Sequence, residues 1–393
     1  MFSGIKNKFY DKLGIATNND PETLFKSAGF LTLGAEVEAQ LLDAETLNLK
    51  PFAKEILQKT SDDKIKKEFF LSTIEANTAK QQNVHDINKD LEESLNKISL
   101  AAEQSNTKVA TTGCHPFSKY SDCIIYPSER YSELIDRNQW MTRRMTVYGL
   151  HIHLGMKSGD ECINYINFFL RFIPHLIALS ASSPYWQGDD TGLASCRPTT
   201  YEALPTAGLP YRFNSWAEFE HLYNSLKSYK SLNSINDLWW DIRPSPKFGT
   251  LEIRICDGVA TLSETAAIIA FVHLLAHWFS DNSDWMTSLS RTDHWILREN
   301  KWRAIRHGLE AEIITNPLSP SKLLRDEIIE WVNKLKPYAV KLGYETYLYD
   351  IVKICTHGNS STRQRKVFER TGSLIEVVKY NIAEFNNKAP LLT

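Results

Sequence analysis

Three segments far apart in the chain carry one pattern: two chemically capable side chains two residues apart, with apolar residues on either side. In LTLGAEVEAQLLD (31–43) they are Glu36 and Glu38, in VYGLHIHLGM (147–156) His151 and His153, and in TLEIRICD (250–257) Glu252 and Arg254. A period of two is that of a β-strand, so each pair shares one face, with its members roughly 7 Å apart. One face of each strand is then apolar and packs on a core, while the other lines something polar. FFLSTIEAN (69–77) reads as a fourth strand and carries Glu75. Glu68 lies seven residues earlier, on the opposite face of an unbroken strand. Carboxylates that point inward need compensation, which divalent cations supply well.

Helical spacing fills much of the rest. Residues 79–105 predict one long amphipathic helix, 130–145 and 216–229 two further helices, and 160–183 a mostly apolar one. KVATTGCHPF (108–117) predicts a strand running into a turn, and residues 44–66 a loop with a small helix. WWDIRPSPKFGTLEIRICDG (239–258) predicts a turn leading into a strand. From 262 onward the pattern is helical, with a polar loop expected at HGNSSTRQRK (357–366). Residues 1–29 read as an extension. No repeat, low-complexity tract or linker divides the remainder, so 30–393 is expected to be one α+β domain with a mainly antiparallel sheet and a helical C-terminal portion.

Composition excludes several function classes. Forty-five basic residues against 47 acidic ones leave a formal charge of −2 without a basic block, which argues against nucleic-acid or anionic-membrane partners. No apolar run was expected to reach the roughly 20 residues of a spanning helix, and the opening segment lacks the form of a secretory signal. Six scattered cysteines without a C-x-x-C pair read as free thiols in a reducing compartment, so a cytoplasmic location is expected.

Taken singly, the strand pairs say little. A Glu-x-Glu pair is usually a solvated face, an H-x-H pair is often structural, and Glu252 with Arg254 makes an ordinary ion pair. Two Arg, two Asp and a Glu within residues 239–258 exceed what a turn requires. A metal-dependent hydrolase would use His151 and His153 but leave Glu36, Glu38 and the arginine-rich segment idle. A non-catalytic binding protein would leave all the carboxylates idle. No G-x-x-x-x-G-K-[ST] loop occurs, so a P-loop nucleotide site is excluded.

The ordered set LTLGAEVEAQLLD, TIEANT, GCHPF, RYSELI, GLHIHLG, ALSASSPYWQGDDTGLASCRP and WWDIRPSPKFGTLEIRICD resembles the YbdK-type carboxylate–amine ligases. These belong to the type 2 glutamate–cysteine ligases and share a glutamine-synthetase-like fold. Two positions depart from the family pattern: Cys114 stands where a Thr is common, and Gly258 where a hydroxyl residue is common. The resemblance implies a single ligase domain whose antiparallel sheet lines the active site, with helices on its other face. It implies ATP and Mg²⁺ or Mn²⁺, the metal being held by Glu36, Glu38, Glu75, His151 and Glu252. Arg254 would neutralise the phosphoryl group in flight. Arg197 and Arg243 would bind phosphate or a substrate carboxylate, with Arg243 and Arg254 on the nucleotide. The implied reaction joins a carboxylate, the γ-carboxylate of glutamate, to an amine through an acyl phosphate. Small-molecule substrates and a homo-oligomer, a dimer, are expected.

Overall fold

The structure, a computed structural model, describes residues 20–284, 293–316 and 318–391. Residues 1–19 of the expected extension lie outside them. Its last part packs against helix Trp216–Ser228, where Lys227 Nζ lies 2.5 Å from Asp20 Oδ2 and Phe25 meets Trp216 edge-on.

The alternating segments form the centre of a seven-stranded sheet. Strand β1 is Leu33–Asp43, β2 Ile65–Lys67, β3 Thr73–Asn77, β4 Thr107–Ala110, β5 Leu150–Gly155, β6 Ile242–Ser245 and β7 Thr250–Ile253. The order is β6-β7-β5-β1-β3-β2, with β4 also pairing the far end of β1, and every pairing is antiparallel. Leu33, Ala35 and Val37 of β1, Leu150, Ile152 and Leu154 of β5, and Leu251 and Ile253 of β7 are all buried in one core cluster. Each Leu, Ile or Val among them contributes about 1.5–3 kcal/mol by leaving water. Helices Val84–Glu103, Gly159–Phe169, Ile173–Ser180 and Leu262–Asp281 supply the other side of that core. The sheet therefore has one face under helices and one face lining a cleft.

Several expectations are corrected. The segment 239–258 is a hairpin of two strands, because the backbone turns at Pro246–Gly249 and returns. Strand β3 begins at Thr73, not at residue 69, and the long helix begins at Val84, where Asn83 caps it by accepting the Asp86 N–H. The apolar helix at 160–183 tightens into a 3-10 turn at Leu170–Phe172, with Pro174 opening the next helix. HGNSSTRQRK is mostly helix: Asn359 caps Ser360–Thr371, and buried Arg363 bonds Glu264 and Glu384. Within this polar segment Arg363 belongs to a buried ion network, while His357, Thr362 and Lys366 are exposed on the helix surface and its ends. Gly159–Ser180 and Leu262–Asp281 are long and apolar enough to cross a membrane, which the hydropathy reading missed, but 83% and 78% of their most apolar windows lie inside the fold. All six cysteines are free.

Candidate active site

Cross-strand register assembles the polar face. In antiparallel pairing, residues directly opposite one another share a face with their Cβ atoms about 5 Å apart. Glu38 of β1 stands opposite Glu75 of β3, and Glu36 opposite His151 of β5. His153 stands opposite Glu252 of β7, and Glu252 opposite Arg243 of β6. Three sequence pairs thus become one continuous polar row across the sheet. A cleft of about 290 Å³ lies over it, and all eight predicted site residues line that cleft: Glu36, Glu38, Glu75, His151, Arg197, Arg243, Glu252 and Arg254.

Glu68 lines it too, which corrects the opposite-face reading. The strand is not continuous between 68 and 75. β2 and β3 form a hairpin in which Lys66 stands opposite Glu75, so Glu68, two residues beyond Lys66, shares the face of Glu75. The interval of seven misled because a reversal lies inside it. Two acids flanking a short apolar stretch would have fitted a hairpin equally well.

The charges are arranged in two groups. Toward β7, Glu252 is buried and accepts from Arg243 Nε at 2.8 Å and Nη2 at 3.3 Å, and it also pairs with Arg254. Burial opposes its ionisation, yet the two guanidiniums hold its carboxyl far below the usual range. Glu36 behaves alike: burial works against its charge, but His151 Nδ1 at 3.1 Å and His153 Nε2 at 3.2 Å hold its carboxyl well below normal. Burial, helped by Arg254, pushes His151 down to about 4, so its ring is neutral and able to ligate. His153 is raised because Glu36 outweighs burial, and its Nδ1 lies 2.9 Å from Thr250 Oγ1.

Toward β3 the acids repel one another. Burial, then the neighbouring Glu68, pushes Glu38 up to about 7, even though Gly149 N–H donates to it at 2.5 Å. Burial, then Glu36 and Glu68, pushes Glu75 well above its ordinary value. Burial and the neighbouring acids thus favour the protonated form of Glu75, which lies against Glu68. Crowded acids with strained ionisation are what a divalent cation relieves. Two sets of donor atoms lie within 4.8 Å of one another: Glu36, His151 and Glu252, and Glu38, Glu75 and His151. The donors present fit Mg²⁺ or Mn²⁺, oxygen-rich with one imidazole. Both sets take His151 and neither takes His153, and no geometry favours a His-x-His zinc hydrolase.

The profile of glutamate–cysteine ligase family 2 matches residues 32–380. The chain belongs to that family. Relatives provisionally named glutamate–cysteine ligase 2 include one from Bdellovibrio bacteriovorus, 43% identical over 90% of this chain and 94% of its own length. Another, from Gloeobacter violaceus, is 39% identical over 90% and 96%. Among solved structures, the fold is similar to a glutamate–cysteine ligase from Francisella tularensis in complex with AMP, with a TM-score of 0.64 and 14% identity, covering 94% of this chain and 91% of that one. A bifunctional glutathione synthetase from Pasteurella multocida gives a TM-score of 0.65 at 17% identity over 91% of this chain. The chain spans about half (52%) of that protein's length. The α+β architecture expected from the sequence, an antiparallel sheet lining the site with helices on its other face, is the observed one.

Within this family-2 ligase the two departures have local structural settings. Cys114 is buried with its Sγ 3.4 Å from Cys196 Sγ, a pairing invisible in the sequence because 81 residues separate them. Gly258 lies where a Cβ would come within 2.7 Å of the Thr111 carbonyl oxygen, so a side chain there needs a shifted backbone.

Proposed function

We propose that the protein phosphorylates the γ-carboxylate of glutamate with ATP and passes the acyl group to an amine, cysteine being the acceptor its relatives are named for. The observation that carries this reading is the row of two donor groups sharing His151, with Arg197, Arg243 and Arg254 beside it in a cleft that Arg130 also lines. A carboxylate resists amines because its leaving group would be oxide. Transfer of the γ-phosphoryl group makes an acyl phosphate and ADP; amine attack then expels inorganic phosphate, and the amine loses a proton.

Glu36 and Glu252 would hold one divalent cation and Glu38 and Glu75 another, with the His151 imidazole available to one of the two at a time. When bound, such ions neutralise phosphate oxygens. Arg254, half-buried and held against Glu252, presents a fixed positive charge where negative charge would develop on the phosphoryl group. Arg243 fastens Glu252 from the nucleotide side, where Trp239 and Phe248 line the cleft. Arg197, near Glu38 and His151, faces the opposite end, where a carboxylate substrate would lie.

The test is ADP release screened across carboxylates and amines with Mg²⁺ or Mn²⁺. Hydroxylamine should trap the acyl phosphate as a hydroxamate when glutamate and ATP are present. Amide hydrolysis that proceeds without nucleotide, with no hydroxamate from any amino acid, would overturn the proposal.

A further inference from the structure

We infer that Asp241 and Asp257, the aspartates bracketing the β6–β7 hairpin, are positioning residues that hold Arg197 from two sides. Arg197 differs from the two guanidiniums beside Glu252. Arg243 and Arg254 both pair with Glu252, whereas no ion pair found among the described residues involves Arg197. Its side chain is buried, and its Nε–H has no hydrogen-bond partner among them. A long side chain with an open donor keeps one geometry only if its surroundings impose it.

One constraint runs through Asp257, which is fully buried. Its Oδ2 accepts from Ser182 N–H at 3.0 Å and from Ser183 Oγ at 2.7 Å, and its Oδ1 accepts from Ser195 Oγ at 2.8 Å. Because Ser183 gives its proton to Asp257, its oxygen is left as an acceptor, and it receives the backbone N–H groups of Cys196 at 2.9 Å and Arg197 at 3.3 Å. The carboxylate thus sets the backbone from which Arg197 projects, at the first turn of helix Arg197–Tyr201.

The other constraint runs through Asp241, also fully buried. It accepts from Tyr201 Oη at 2.9 Å and Lys301 Nζ at 2.7 Å, and the Tyr201 ring lies 5.2 Å from Arg197 Cζ. Its main-chain oxygen accepts the Arg254 N–H at 2.8 Å, and the Arg254 oxygen in turn accepts Arg197 Nη1 at 3.0 Å. Backbone, ring face and guanidinium tip are all referred to the same hairpin that carries Glu252 and Arg254. The aspartates of the WWDIRPSPKFGTLEIRICDG segment therefore register Arg197 against those two residues.

The activity readout rests on the ligase reading above, so the experiment carries a second readout that does not. Ser183→Ala removes the link to Arg197 while leaving Asp257 two other donors. Ser195→Ala removes a donor from Asp257 without touching Arg197. Ser183→Ala is expected to lower kcat/KM for the carboxylate about tenfold or more, with the KM for ATP within about twofold. Ser195→Ala should change kcat/KM by less than about threefold, and Ser183→Thr should restore it. In an Arg197→Ala background, Ser183→Ala should add nothing. Equal losses in the two alanine variants that track their Tm, or full additivity with Arg197→Ala, would overturn the inference. The second readout is the Arg197 Nε–H resonance in a ¹⁵N-arginine spectrum. It should be sharp and slow to exchange in the parent and in Ser195→Ala, and lost in Ser183→Ala. If the parent releases no ADP with any carboxylate, the ligase reading fails, and the spectrum alone decides the positioning role: a resonance unchanged in Ser183→Ala overturns it.

Discussion

At the scale of single residues, the site gives up stability of its own. Glu38, Glu68 and Glu75 share one end of the cleft, and burial with mutual repulsion raises the pKa of all three. A carboxyl whose folded pKa is raised binds a proton that the unfolded chain does not, so near neutral pH the metal-free fold is destabilised by it. Gln imitates the protonated form: in Glu75→Gln it can still accept from Asn77 Nδ2, now at 2.8 Å, and still donate to Glu68. In chelator, Glu75→Gln is expected to raise Tm by about 1–2 °C, equivalent to roughly 1 kcal/mol in a chain of this length. The same variant should gain less Tm than the parent on adding Mn²⁺ or Mg²⁺ and lose about a hundredfold or more in ADP release. Thermal melts with and without metal check it; an unchanged metal-induced shift would remove Glu75 from the ligand set.

At the scale of the element, β5 shows how closely a strand can be fitted to function. Its period-two pattern sends Leu150, Ile152 and Leu154 to the core and both histidines to the cleft. Gly149, just before it, is where the Arg197 guanidinium crosses the chain. A Cβ at Gly149 would stand 2.8 Å from Arg197 Cζ and 3.0 Å from His151 Nε2, and closer still to Arg197 Nη2. Gly149→Ala is expected to fold, because its backbone does not occupy the left-handed region, and to displace Arg197. Activity should fall about tenfold or more while Tm drops by only a few degrees; steady-state kinetics beside a melt would show it. Period two made β1, β5 and β7 legible at once. The hairpin β2–β3 was not, because a reversal hidden in EFFLST moves Glu68 to the other face. The helix Ser360–Thr371 was missed for another reason: its polarity reads as solvent exposure until Glu264 and Glu384 arrive from distant helices to bury Arg363.

At the scale of the whole molecule, three buried histidines weaken the fold toward acid. His115, His175 and His273 lie in the interior away from the cleft, and burial pushes them down to about 4, 4 and 3. The unfolded chain protonates each near pH 6.5, so between about 6.5 and 4 it binds more protons than the fold. Stability contributed by keeping these rings neutral is whole above pH 6.5 and is lost as pH falls toward 4. A shift of that size is worth on the order of 3 kcal/mol for each ring. The raised carboxyls of the cleft work the other way in the same window, so the check is a difference: between pH 7 and pH 5 the denaturant midpoint of His175→Gln should lose less, relative to its pH 7 value, than that of the parent. An equal change in the two proteins would mean the His175 ring already carries a proton in the fold.

The sequence by itself determined the strands that bear Glu36, Glu38, His151, Glu252 and Arg254, because alternation is a local property enforced by sheet geometry. It also carried the family likeness in motif order. Tertiary structure alone decided that Glu38 meets Glu75, that Glu68 joins them, and that Arg197 is referred through Ser183 and Tyr201 to the aspartates of a hairpin, 44 and 60 residues on. Those pairings depend on strand register and chain reversal, and the groups that meet are too far apart in the chain for any local period to mark them.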